Sequence, residues 1–158
     1  MAHPHIQKVL PQLLKAHFTE PIISKHITNV IGYGSGVFPQ HHQQQNNTID
    51  LIIMTKNSHH FHQHFCTLKP NDYSGLSRLF GSSYIGFLNR RIFPLHFNHI
   101  SLSNYKVKYS IVDEDVVLSD LVTWRYMTLA GRLQKPTYVN VLSQNLSSEM
   151  SSSIQKNY

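Results

Sequence analysis

Asn29-Val30-Ile31-Gly32-Tyr33-Gly34-Ser35-Gly36, followed after a glutamine-rich stretch by Ile49-Asp50-Leu51-Ile52-Ile53-Met54, places a glycine turn between two apolar runs. In the first run, apolar residues give way to glycines that permit tight turns and close backbone approach, which predicts a strand and then a loop. The second run is apolar on both of its alternating faces, which predicts a strand at the centre of a covered sheet. Its one charge, Asp50, shares a face with Ile52 and Met54 because side chains alternate along a strand. Nucleotide transfer needs this pairing of parts. Backbone amides exposed by glycines hold phosphate oxygens, and a neighbouring carboxylate holds the Mg²⁺ that offsets charge developing at phosphorus. The pattern by itself leaves a second reading open, in which the turn is ordinary and backbone donors satisfy the Asp.

Ahead of this core, Ile6, Val9, Leu10, Leu13, Leu14 and Phe18 recur at helical spacing, which predicts an amphipathic helix kinked or started at Pro11. Beyond it, residues 58–83 read as helix and loop broken at Pro70, with Leu76, Leu79 and Phe80 at helical spacing. Aromatic and branched residues over 84–98, and the alternation over 105–112, predict strands that pair in the same sheet. Asp113, Glu114 and Asp115 suit the start of a helix that runs on through Leu129 to a cap at Gly131, with Pro136 preventing its resumption. The expected architecture is α+β, a nucleotidyltransferase-like mixed sheet with flanking helices. It occupies residues 1–140, with a polar tail over 141–158 that is disordered or truncated. The sequence shows no internal repeat.

The composition bounds the function. A chain of 158 residues builds one core of ordinary size. It contains no run of roughly 18 apolar residues that would span a bilayer, so any membrane contact is expected to be peripheral. Fourteen Lys and Arg against eight Asp and Glu favour an anionic partner. A nucleic acid is set aside, because no compact basic and aromatic recognition motif is present. Cys66 is the single cysteine, which rules out an internal disulfide and a cysteine-based zinc site. His59, His60, His62 and His64 lack the organised fourfold ligand set of structural zinc and are expected in a solvated loop.

Six motifs occur in a set order: Tyr33-Gly34-Ser35-Gly36-Val37-Phe38-Pro39-Gln40, Ile49-Asp50-Leu51-Ile52, Asn71-Asp72-Tyr73-Ser74, Lys108-Tyr109, Asp120-Leu121 with Trp124, and Ala130-Gly131-Arg132-Leu133-Gln134-Lys135-Pro136. In this order, and most specifically in the last heptad, the chain resembles the mitochondrial CDP-diacylglycerol synthases, a family of phosphatidate cytidylyltransferases. The resemblance implies transfer of CMP from CTP to phosphatidic acid, giving CDP-diacylglycerol, a cardiolipin precursor, and pyrophosphate. It also implies Mg²⁺, an anionic membrane surface, and peripheral attachment to the matrix face of the mitochondrial inner membrane. Three departures stand out. Asp72 occupies a position where the family usually has His, Ser110 follows Lys108-Tyr109 where the family has Gly, and Thr48 stands where many nucleotidyltransferases place a second acid. The family also continues for a long helical region beyond the heptad, so residues 1–158 alone are expected to be a poor enzyme.

With that resemblance, Gly34, Ser35 and Gly36 are expected to hold a CTP phosphate, and Asp50 is the expected catalytic metal ligand. Arg132 and Lys135 are expected at the triphosphate or the lipid phosphate. Lys108 is divided between that role and a solvated surface. Asp120 is read either as a second metal ligand or as an ion-pair partner of Arg125. Trp124 is expected in the core. Two other readings stand beside this one: a nucleotidyltransferase acting on protein or RNA, and a non-catalytic relative that binds membranes through its basic surface. Nothing in the sequence sets the oligomeric state.

Overall fold

The computed structural model describes residues 4–38, 48–91, 95–102 and 105–141. Its elements are α1 (Pro4–His17), α2 (Glu20–His26), β1 (Ile27–Tyr33), β2 (Thr48–Thr55), α3 (Ser58–Leu68), a single 3₁₀ turn (Pro70–Asp72), α4 (Gly75–Arg91), β3 (Phe97–Leu102), β4 (Tyr105–Asp113), α5 (Glu114–Thr123), α6 (Ala130–Leu133) and β5 (Thr137–Val141). The five strands form one mixed sheet in the order β3-β4-β2-β1-β5. β2 runs antiparallel to β1 and parallel to β4, while β3 and β5 close the two sides antiparallel to β4 and β1. This is the expected α+β class.

β2 takes the central place because its alternation supplies apolar side chains to both faces. Ile49, Leu51 and Ile53 join Val30, Val107, Tyr109 and Ile111 in a core that α1, α3 and α4 cover. Ile52 and Met54 join Ile31, Val112, Val117, Leu121, Leu129 and Leu133 on the opposite face. Burying one such aliphatic side chain contributes about 1.5–3 kcal/mol, so both faces bind the sheet into the fold. The opening helix behaves as its spacing predicts: Ile6, Leu10, Leu13, Leu14 and Phe18 are all buried, and Pro11 sits exposed within it. Asn57 caps α3 by accepting the His60 amide at 3.0 Å. The Asp113 carboxylate, at the start of α5, accepts the Ser58 amide and so ties α3 to the end of β4.

Five expectations change. Residues 84–91 belong to α4, not to a strand, and only Phe97–Leu102 pairs with β4. Within α4, Gly81 breaks the helical geometry at φ 70, and Leu79 and Phe80 face solvent. The helix begun at Glu114 stops at Thr123, where Trp124 adopts φ 54 and lies half-buried outside both cores. Gly131 lies inside the separate short helix α6. The histidines of 59–64 are on α3 rather than in a loop. His62 is fully buried with Nδ1 at 2.8 Å from the Tyr73 hydroxyl, and burial pushes its pKa down to about 3. Of the polar tail expected over 141–158, Val141 ends β5 and residues 142–158 lie outside the described residues, as do residues 39–47.

Candidate active site

The sheet register builds the site. Asp50 on β2 stands opposite Tyr33 on β1 and Lys108 on β4; Lys108 stands opposite His99 on β3, and Tyr33 opposite Thr137 on β5. Residues directly opposite one another share a face, so all five form one row across the sheet. This is the face that carries α5 and α6. The row lies near the end of that face, where Tyr33 belongs to the apolar cluster, and both Asp50 and Lys108 are half-buried.

The glycine turn folds over this row. The Val37 and Phe38 amides both donate to the Gly34 carbonyl, at 3.1 and 3.0 Å, and the amides of Ser35 and Gly36 take no part in these two bonds. Gly34 has φ +81, and a Cβ there would lie 3.1 Å from Asp50 Oδ2. The turn therefore rests on the carboxylate. At Gly36 a Cβ would fall 1.8 Å from the Thr48 carbonyl oxygen, so the turn approaches β2 at a distance only glycine allows. Gly36→Ala is expected to push the turn away and to lower stability by about 1–3 kcal/mol. A urea midpoint equal to that of the parent chain would show that the turn does not press on β2.

Arg132 reaches the row from α6. Its Nη1 donates to the Thr128 carbonyl at 2.9 Å, and its guanidinium lies 5.4 Å from the centre of the Phe97 ring. Its charge also acts on the Tyr33 hydroxyl, opposite Asp50 in the row. Lys108 Nζ lies over the same ring, 4.3 Å from its centre. Burial lifts the Asp50 carboxyl above the usual carboxylate range, opposed first by Lys108 and then by Arg132 and His99. Burial also raises the Tyr33 hydroxyl, with Asp50 adding to the rise and Arg132 opposing it.

Of the residues expected at the site, Gly34, Asp50, Lys108 and Arg132 come together, and Ser35 and Gly36 follow Gly34 in the turn, with Gly36 against the Thr48 carbonyl. Lys135 is exposed in the turn between α6 and β5, outside the group of cations that act on Asp50. Asp120 goes elsewhere. Its Oδ1 accepts the Tyr126 amide at 2.5 Å, and its Oδ2 accepts the amides of Leu129 and Ala130 at 3.2 and 3.1 Å, with the residue fully buried. Three backbone donors hold this carboxylate, away from the Asp50 row, and the Arg125 guanidinium lies over the Tyr126 ring. Tyr33, Phe97 and His99 were not singled out for the site, because only the pairing of β3 with β4 and of β1 with β2 brings them to Asp50.

Among the described residues, no group of three or more His, Cys, Asp or Glu side chains is placed to hold a metal ion. Mg²⁺ is usually bound by one or two carboxylates plus substrate phosphates and water, so one desolvated Asp fits an ion that arrives with a triphosphate.

A family model described as "Phosphatidate cytidylyltransferase, mitochondrial" matches residues 17–158. The chain belongs to the mitochondrial phosphatidate cytidylyltransferase family. Among curated relatives of that printed name, the Saccharomyces cerevisiae protein is 36% identical over 121 residues, covering 74% of this chain and 31% of the relative. The Caenorhabditis elegans protein is 33% identical over 107 residues, covering 66% and 33%. The Schizosaccharomyces pombe protein is 30% identical over 140 residues, covering 84% and 35%. The chain thus spans about a third of the length of these relatives.

The departures from the cytidylyltransferase motifs find places in the structure. Asp72 lies on the far side of the sheet from Asp50, where its Oδ2 pairs with His17 Nε2 at 2.6 Å and accepts the Tyr109 hydroxyl at 2.9 Å. Burial holds His17 below the ordinary histidine range, with Asp72 opposing that shift. This exchange therefore joins α1 to β4 and leaves the Asp50 row untouched. Ser110 is fully buried on the Asp50 face, opposite Phe97 on β3.

Proposed function

We propose that this chain supplies the nucleotidyl-transfer site of a phosphatidate cytidylyltransferase, converting CTP and phosphatidic acid to CDP-diacylglycerol and pyrophosphate. The observation that carries the proposal is the convergence of Gly34, at the head of the glycine turn, with Asp50, Lys108 and Arg132 at one end of a sheet face, in a member of this family.

Each residue has a task in that reaction. The turn amides and the Ser35 hydroxyl receive phosphate oxygens, while Lys108 and Arg132 offset charge on the leaving pyrophosphate. Asp50 holds Mg²⁺, which when bound neutralises charge at the reacting phosphoryl group. An oxygen of the phosphatidate phosphate forms a bond to the α-phosphorus of CTP as the bond to the bridging α,β oxygen breaks in line. That attacking phosphate is already ionised near neutral pH, so no side chain has to remove a proton. The buried sheet face screens these charges from water and strengthens them.

The proposed setting is the matrix face of the mitochondrial inner membrane, as a peripheral protein on an anionic surface that presents the lipid. The relatives' names say mitochondrial, and among the described residues no helix is long and apolar enough to cross a membrane. The product would feed cardiolipin synthesis. The test is to supply α-labelled CTP, Mg²⁺ and phosphatidic acid in liposomes, both to this chain and to the chain joined to the remaining length of a relative. Label is expected in CDP-diacylglycerol. Label found in protein or RNA instead, or in nothing from either form, would overturn the proposal.

A further inference from the structure

Lys108 and Arg132 come from distant parts of the chain, one from the middle of β4 and the other from the short helix α6, yet both charges sit on a single aromatic ring. Phe97 opens β3 opposite Ser110, diagonal to Lys108 on the same face. Its half-buried ring lies 4.3 Å from Lys108 Nζ and 5.4 Å from the Arg132 guanidinium carbon. Two cations drawn toward one site repel each other, and long side chains lose rotamer freedom when held. A ring face offers both of them negative quadrupole density without supplying an acceptor that would neutralise either one. A carboxylate in that position would compete with the ligand. A phenyl ring holds the cations while leaving their donors for phosphate oxygens.

The other contacts of Arg132 fit the same arrangement. Its hydrogen bond to the Thr128 carbonyl holds one edge of the guanidinium, and that partner is not an ionised acid. We infer that Phe97 is a positioning residue that gathers Lys108 and Arg132 into one clamp for the polyphosphate of the nucleotide. This deepens the function proposed above and rests on it for the identity of the nucleotide. The clamp itself requires only a polyphosphate anion.

The experiment measures binding of CTP and of inorganic tripolyphosphate by calorimetry to the whole 158-residue chain, each with Mg²⁺, alongside thermal melts. Phe97→Leu, which keeps apolar bulk and removes the quadrupole, is expected to weaken both ligands by about 3- to 10-fold. Phe97→Tyr restores the ring and should recover affinity close to the parent value. In a Lys108→Met background the effect of Phe97→Leu should shrink, because one of the two cations it gathers is gone. A folded Leu variant with parent affinity, a Tyr variant as weak as Leu, or an undiminished Leu effect in the Met background would each overturn the clamp. Parent chain that binds tripolyphosphate tightly and CTP no better would sink the cytidylyl reading while the clamp stands. Parent chain that binds neither would overturn both.

Discussion

Asp50→Asn is expected to abolish Mg²⁺-dependent CMP transfer, lowering turnover at least about a hundredfold, while the protein remains folded and melts at or above the parent temperature at neutral pH. The two halves of this expectation share one cause. Asp50 is half-buried on an apolar strand, and burial raises its carboxyl despite Lys108, Arg132 and His99. A carboxyl whose folded value lies above its unfolded one disfavours folding wherever it is charged. The lost stability returns as pH falls through the raised value. Asn fits the same space, carries no charge and escapes that penalty, but it cannot replace a carboxylate as ligand to a hard cation. A functional charge held at a cost to the resting fold is the usual signature of a site rather than a scaffold. The check is a transfer assay in the active form of the protein, run beside thermal melts at pH 7. Near-parent turnover, or a melting temperature several degrees lower, would remove Asp50 from its assigned place.

The opposite pattern is expected at Asp120. Asp120→Ala should destabilise the fold by about 3–5 kcal/mol, because it strands three amide donors at once, two of them buried. Those donors belong to Tyr126, Leu129 and Ala130, and they bend the segment after α5 back over the sheet. That segment includes two non-glycine residues with positive φ, Trp124 at 54° and Met127 at 55°. Such conformations cost of order 1–3 kcal/mol each, and the Asp120 carboxylate holds the chain in them. The same segment delivers Leu129 and Leu133 to the core and Arg132 to the Asp50 row, so nucleotide affinity should fall along with stability. Asp120→Asn retains one acceptor oxygen and turns a donor toward the remaining amides, and is expected to fall between Ala and the parent. Urea titrations of both variants provide the measurement. Unfolding free energies within about 1 kcal/mol of the parent would mean that other contacts hold the segment.

Much of the fold could be read from periodicity. Alternation places the apolar side chains of β2 on both faces, and only a central strand buries both, so its position followed from Ile49 to Met54 alone. The buried stripe of α1 is likewise visible at helical spacing. Residues 84–91 misled because aromatic and branched residues suit a buried helix face as well as a strand: Ile85 is fully buried on α4 and Phe87 is exposed. The helix begun at Glu114 was extended too far because the apolar residues up to Leu129 continue in period across a break. That break is made by a tertiary contact, the closure of three amides on Asp120. β5 was missed because a five-residue edge strand pairs with β1 through hydrogen bonds that leave no periodic mark of their own.

By itself, then, the sequence determined a central carboxylate on a buried strand, a preceding glycine turn, and a heptad that places the chain in its family. These are local properties, encoded in side-chain alternation, in the absence of a Cβ and in an ordered set of motifs. Only the tertiary structure decided which cations serve that carboxylate. Strand register aligned Lys108 and Tyr33 with Asp50, helix placement brought in Arg132, and Phe97 came under both cations from the neighbouring strand. The same applies to the two acids that looked equivalent in sequence. Asp50 faces the turn and cations at the end of a sheet face, whereas Asp120 is buried among three backbone donors that take three of its four lone-pair positions.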